Sequence, residues 1–170
     1  MLQRHFILEP GIDYPLYVTA KQFWLAELEE NWDDPDAFTL ILLHSTSFHK
    51  ETWEPTLQHL FDGIQMRRNR PTTPKIKCAW VIECPNHGES ACLNDCALQR
   101  PPFRRNCKHS VLCDRLVVQN VDHRPVGCEK YAEAAHRFML HGPTLPIPVD
   151  FQREKLVGIG HSLGGVGMSV

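Results

Sequence analysis

The segment Gly160-His161-Ser162-Leu163-Gly164-Gly165 holds the residues best suited to chemistry. A serine at G-x-S-x-G spacing, directly after an apolar run, suits a sharp turn from a strand into a helix. Such a turn keeps the serine backbone strained and projects its hydroxyl beyond the sheet edge. Small residues on either side let the neighbouring chain pass close by. The N–H groups that open the following helix then face the charge that develops when a hydroxyl attacks a carbonyl. The spacing thus suits a serine hydroxyl held at a strained turn where backbone N–H groups can face developing negative charge. A glycine-rich turn with an incidental serine has the same spacing, so the surrounding elements decide between the two.

Those elements read as an alternation. Phe38–Leu43, Ile76–Ile82 and Leu156–Gly160 are apolar runs that suit strands covered on both faces. Trp53, Leu57, Leu60 and Phe61 fall at i, i+4, i+7 and i+8, which predicts a helix over Glu51–Phe61 with Pro55 in its first turn. Tyr131, Ala135, Phe138 and Met139 repeat the same spacing and predict a helix over Glu129–His141, stopped by Pro143, Pro146 and Pro148. Strands alternating with helices imply βαβ units, a parallel sheet and right-handed crossovers, so the fold class is α/β. Upstream, Arg4–Leu8 and Leu16–Ala20 predict a hairpin across Pro10-Gly11-Ile12-Asp13. A short helix is expected around Gln22–Leu28, then a solvated acidic loop over Glu27–Asp36. Glu83–Ser90 reads as a polar loop. Leu98–Gly127 carries Arg100, Arg104, Arg105, Lys108, Arg115 and Arg124 against Asp114 and Asp122, with little periodicity. It reads as a poorly fitting insertion at about 98–127 in a single domain spanning 1–170.

Three segments in order resemble α/β-hydrolases of the AB hydrolase-1 type. Gly160–Gly165 is similar to their nucleophile elbow. His44-Ser45-Thr46-Ser47-Phe48-His49-Lys50-Glu51-Thr52-Trp53-Glu54-Pro55 resembles the HG-type oxyanion loop after the third strand, with a continuation similar to fungal toxin-biosynthesis-type enzymes. Cys84-Pro85-Asn86-His87-Gly88-Glu89-Ser90 resembles the D-x-x-G-x-G/S loop after the fourth strand. The resemblance implies hydrolysis of an ester, thioester or similar small acyl substrate, with no cofactor. It implies Ser162 as nucleophile, the N–H groups of Leu163 and Thr46 as oxyanion donors, and His44, Ser45 and His161 as supporting residues. Two positions depart from the pattern: Ser45 replaces the usual glycine, and Glu83 stands where aspartate is common. His44, His49 and His87 read as structural, and His161 points away from the hydroxyl. The family order is serine, then acid, then histidine. Leu163–Val170 contains neither of the last two. The resemblance therefore implies a partial α/β-hydrolase fold, truncated after the elbow and inactive as it stands.

Composition sets the remaining bounds. Net charge is −2, from 18 basic and 20 acidic residues, so no global field favours nucleic acid. No apolar stretch is long enough to span a membrane, and the first ten residues lack a signal-peptide core. Seven cysteines, an odd number, favour free thiols in a reducing compartment, cytoplasmic or peroxisomal. No metal is expected: Cys92 and Cys96 form a C-x3-C pair near His87 and His109, but no second tight pair follows. Two other readings stay open, a catalytically dead hydrolase-like module that binds small ligands and a Cys/His metal-binding protein.

Overall fold

The computed structural model describes residues 1–99 and 126–170. The expected insertion at 98–127 therefore lies, except at its ends, outside the described residues. Five strands form one sheet in the order β1-β2-β4-β3-β5. They are β1 (Leu2–Leu8), β2 (Val18–Trp24), β3 (Phe38–Leu43), β4 (Ile76–Ile82) and β5 (Lys155–Gly160). β3 is parallel to β4 on one side and to β5 on the other, with Leu43 opposite both Ile82 and Gly160. The three strands thus end together. The sheet is mixed rather than parallel throughout, because the N-terminal hairpin joins it: β1 and β2 pair antiparallel, and β2 pairs antiparallel with β4.

Strand periodicity divides the core in two. Leu40, Leu42, Ala79 and Val81 face one way and pack with Leu57, Phe61 and Ile64 of α1 (Glu54–Arg67). Ile41, Leu43, Trp80 and Ile82 face the other way, toward Tyr131, Ala134, Ala135 and Phe138 of α3 (Cys128–Leu140). The crossover from β3 to β4 runs through α1. The return from β4 to β5 passes through α2 (Gly88–Leu98) and α3, back across β3. The direction of winding reverses between β3 and β5, and a crevice opens at such a point beyond the strand ends.

Three expectations need correction. The first half of the helix expected at Gln22–Leu28, Gln22–Trp24, is instead the end of β2, between β1 and β4, where the ladder occupies its backbone groups; only Ala26–Leu28 is helical. The acidic stretch after it is partly folded: Ala26–Asn31 is a 3-10 helix that buries Leu28 and Asn31, and Asn31 Nδ2 donates to Ile76 O at 3.1 Å. The polar loop ends at His87, because α2 starts at Gly88. Apolar spacing gave no sign of α2, since its buried positions are polar. Ser90 Oγ accepts from Thr19 N–H at 3.1 Å, and Asn94 bonds both the N–H and C=O of Tyr17. Elsewhere the expected helix at Glu51–Phe61 opens as a 3-10 turn (Lys50–Trp53) and continues as α1, with Pro55 in the first turn.

Candidate active site

The chain leaves β5 and turns sharply at Ser162 before α4 (Leu163–Gly167). Ser162 has φ 51° and ψ −113°, a conformation that costs a side-chain-bearing residue about 1–3 kcal/mol. Its neighbours hold it there. His161 N–H donates to Leu43 O at 3.1 Å, extending the ladder with β3 by one bond. Gly164 N–H donates to His161 O at 3.0 Å, and Val166 N–H to Ser162 O at 3.1 Å. Two glycines allow this geometry. A Cβ on Gly160 would lie 2.4 Å from Gly165 Cα, and one on Gly164 would lie 2.3 Å from Leu43 O. Both contacts are with backbone, which cannot give way. Ser162 is exposed, and among the described residues its hydroxyl bonds to no histidine or carboxylate.

The segment His44–His49 leaves β3 beside this turn. His44 N–H donates to Tyr131 Oη at 2.9 Å, and the same hydroxyl donates to Ile82 O at 2.7 Å. Burial pushes the Tyr131 hydroxyl well above its ordinary pKa, so it stays a neutral bridge between the ends of β3 and β4. His44 Nε2 accepts from Cys84 N–H at 3.0 Å. Its proton is therefore on Nδ1, 2.8 Å from Ser45 O. Both ring nitrogens are committed, and burial lowers the His44 pKa, so His44 is a neutral structural ring. Ser45 is buried with an ordinary negative φ, so its backbone does not require glycine. The left-handed residue of the loop is Ser47, with φ 66°. Among the described residues the N–H groups of Thr46 and Leu163 meet no acceptor. Phe48 is 44% exposed, and its ring lies 5.9 Å from that of His161. The loop and the elbow are thus in contact.

The third loop, after β4, is tied to the second by a buried ion pair. Lys50 is 1% exposed and Glu83 fully buried. Lys50 Nζ lies 2.9 Å from Glu83 Oε2, and Lys50 N–H donates to Glu83 Oε1 at 3.1 Å. Thr19 Oγ1 and Ser90 N–H also donate to Glu83 Oε2. Gly88, at φ 50°, passes so close that a Cβ there would meet Glu83 Oε1 at 2.1 Å. Sequence reasoning missed this role of Lys50, because lysine is among the residues least often buried and nothing local marks the exception. His49 Nδ1 and Glu51 Oε2 form a carboxylate–histidine pair at 2.8 Å, yet it makes no bond to Ser162. Burial pushes the Cys84 thiol up to about 12, and Cys92 and Cys96 lie exposed on α2.

The structure therefore brings Ser162, Leu163 and His161 beside His44, Ser45 and Thr46 at the ends of β5 and β3. No family model matches the chain, and neither does any curated protein. Among solved structures, the chain is similar to the peroxisomal alpha-beta-hydrolase Lpx1 from Saccharomyces cerevisiae, with TM-score 0.52 and 16% identity. The match covers 96% of this chain and 39% of that one, so the chain spans well under half of the yeast protein's length. At that identity the likeness shows the fold, an α/β-hydrolase-like sheet with flanking helices. No helix among the described residues is long and apolar enough to cross a membrane.

Proposed function

We propose that the chain is the nucleophile-bearing part of a serine hydrolase of the AB hydrolase-1 type, similar to fungal toxin-biosynthesis enzymes. Ser162 attacks the carbonyl of a small ester, thioester or related acyl substrate and becomes acylated, without a cofactor. Leu163 N–H and Thr46 N–H receive the negative charge on the carbonyl oxygen, and His44, Ser45 and His161 hold the two segments that carry them. The observation that carries this reading is the backbone of Ser162: a non-glycine residue at positive φ, with an exposed hydroxyl, beside the end of β3. Strain of this kind clusters at active sites, because a fold that did not need the serine there would relax it.

The serine lacks a base among the described residues, and an unassisted hydroxyl is a weak nucleophile near neutral pH. The 170-residue chain should therefore turn over p-nitrophenyl esters negligibly. A longer version that supplies an acid and a histidine C-terminal to Ser162 should hydrolyse them, and Ser162→Ala should remove that activity. Turnover by the 170-residue chain, itself lost in Ser162→Ala, would overturn the need for further sequence. Activity of the longer version that survives Ser162→Ala would overturn the nucleophile. The second reading, a ligand-binding module with no chemistry, is favoured by the missing base. It requires that a fluorophosphonate probe fail to label Ser162 in the longer version too. An intracellular address, cytoplasmic or peroxisomal, accords with the free thiols at Cys78, Cys84, Cys92 and Cys128.

A further inference from the structure

Two histidines tie the loops after β3 and β4 together in opposite senses. His44, on the first loop, accepts from Cys84 N–H on the second. His87, on the second, accepts at Nε2 from Ser47 N–H on the first, at 3.0 Å. The rings meet edge-on with centroids 5.2 Å apart. The His87 tautomer follows from its other partner. Its Nδ1 lies 2.7 Å from Asn86 Oδ1, an acceptor, so Nδ1 carries the proton and Nε2 the lone pair. Asn86 is oriented in turn by Cys84 Sγ, which donates to its Oδ1 at 3.1 Å, and by Val126 O, which accepts from its Nδ2 at 3.5 Å.

Ser47 needs such a partner. It is exposed, so burial does not hold it, yet it sits at φ 66° in a region that side-chain-bearing residues rarely adopt. Two hydrogen bonds span its turn, the one to His87 and that from Phe48 N–H to Ser45 O at 3.2 Å. The peptide that carries the Ser47 N–H is directly continuous with Thr46. The Thr46 N–H belongs to the preceding peptide, joined to this one through φ and ψ of Thr46, so fixing the Ser47 peptide restricts the directions that the Thr46 N–H can take.

We propose that His87 is a positioning residue for the turn between β3 and α1: its neutral ring holds Ser47 N–H, aims Thr46 N–H, and lets go when protonated. The assignment of Thr46 as an oxyanion donor rests on the hydrolase reading; the latch itself does not. An imidazolium has no lone pair to offer, so protonation turns an acceptor into a second donor facing Ser47 N–H. His44 is sealed in the core, whereas His87 is partly exposed and can take a proton from water. Among the described residues the groups facing His87 are the neutral His44 ring, the Tyr131 hydroxyl and Cys84 thiol beyond it, and the Glu83 carboxylate paired with Lys50. Burial lowers the His87 pKa and Glu83 opposes that shift, so release falls on the acid side of the ordinary histidine range.

The test is nuclear magnetic resonance on the 15N-labelled 170-residue chain, following ring nitrogens and backbone amides from about pH 8 to about pH 5, the span in which histidine titrates. The Ser47 and Thr46 amide shifts should move together along the His87 titration curve. Exchange of the Ser47 amide, corrected for its intrinsic pH dependence, should quicken about tenfold or more on protonation, as expected when a bond worth about 1.4 kcal/mol is lost. His87→Gln offers a carbonyl oxygen in place of Nε2, so it should keep Ser47 protected and abolish the pH dependence. His87→Ala should lose the protection at every pH while near-ultraviolet circular dichroism of the Trp80 core persists. A Ser47 amide that stays flat through the His87 titration, or keeps its protection in His87→Ala, would overturn the latch. A Thr46 amide that fails to follow Ser47 would overturn the aiming of Thr46. No substrate enters the measurement, so these outcomes are separate from whether Ser162 is a nucleophile.

Discussion

At Gly164 the difference between a hydrogen and a methyl group decides whether the turn can form. The methyl of Gly164→Ala would press on Leu43 O, a backbone atom already fixed in the sheet. Overpacking of this kind costs about 2–3 kcal/mol or more. Urea unfolding should show a loss of that size, with Ser162 reactivity in any active version lost alongside. Gly63 is the control. It lies inside α1, and a methyl placed there would meet nothing within 4 Å. Gly63→Ala should therefore stabilise the chain by about 0.5–1 kcal/mol, the difference in helix propensity. Lys50 and Glu83 present the electrostatic counterpart. Lys50→Met removes the cation and leaves Glu83 charged in the core, its remaining partners all neutral donors. Breaking a buried pair from one side costs about 3–5 kcal/mol. A loss under about 1 kcal/mol, the size of a surface pair, would show that water reaches Glu83.

Between elements, the loops after β3 and β4 are joined by neutral rings as well as by charge. This makes stability depend on pH with a definite sign. Burial lowers the pKa values of both His44 and His87 in the folded chain. Below about pH 6.5, where free histidine titrates, the unfolded chain binds more protons than the folded one. The contribution of the two rings is complete above that pH and declines as pH falls through it. Urea midpoints should drop from about pH 7 to about pH 5, and the His87→Gln drop should be smaller. A further decline belongs to the carboxylates. Partial burial disfavours the charge on Glu51, but Lys21, His49 and Lys50 outweigh it and hold its pKa at about 2. Burial likewise disfavours the charge on Glu89, but Lys50 and His5 outweigh it and hold its pKa below the ordinary value. Their contributions are present above the ordinary glutamate range and fade as pH falls below it. A midpoint that rises on acidification through the histidine range would contradict the neutral-ring assignment.

Over the whole molecule, the sheet is unevenly covered. β3 and β4 are buried almost throughout, whereas β5 pairs on one side only among the described residues. Leu156 and Val157 are both substantially exposed, and the strand carries no proline and one charge, Lys155. Open apolar strands of this kind pair with other chains. The purified 170-residue chain should form concentration-dependent aggregates, visible by light scattering. Val157→Lys should reduce them and leave the urea midpoint nearly unchanged, since the side chain already reaches solvent. Equal aggregation by the variant would place the sticky surface elsewhere.

The sequence by itself determined the parts of this protein that depend on local periodicity. Continuous apolar runs marked β3 and β4, because a strand covered on both faces has no polar side to show; the run at β5 also marked a strand, but that strand is exposed rather than covered as expected. The spacing of Trp53, Leu57, Leu60 and Phe61, and of Tyr131, Ala135, Phe138 and Met139, marked α1 and α3 for the corresponding reason. The glycines around Ser162 announced a crowded turn, and Gly160 and Gly164 are the positions where backbone leaves no room for a methyl. Local pattern failed where a partner distant in sequence supplied the energy. α2 buries Ser90 and Asn94 through bonds to the backbone of Thr19 and Tyr17, at sequence separations of 71 and 77 residues. Gln22–Trp24 became strand because β1 and β4 flank it, and only Ala26–Leu28 of the expected helix is helical, as part of a 3-10 turn. The burial of Lys50, the tautomers of His44 and His87, and the contact of Phe48 with His161 likewise exist only once β3, β4 and β5 end side by side. Desolvation and hydrogen-bond direction depend on what surrounds a group in space, and only the tertiary structure assembles those surroundings.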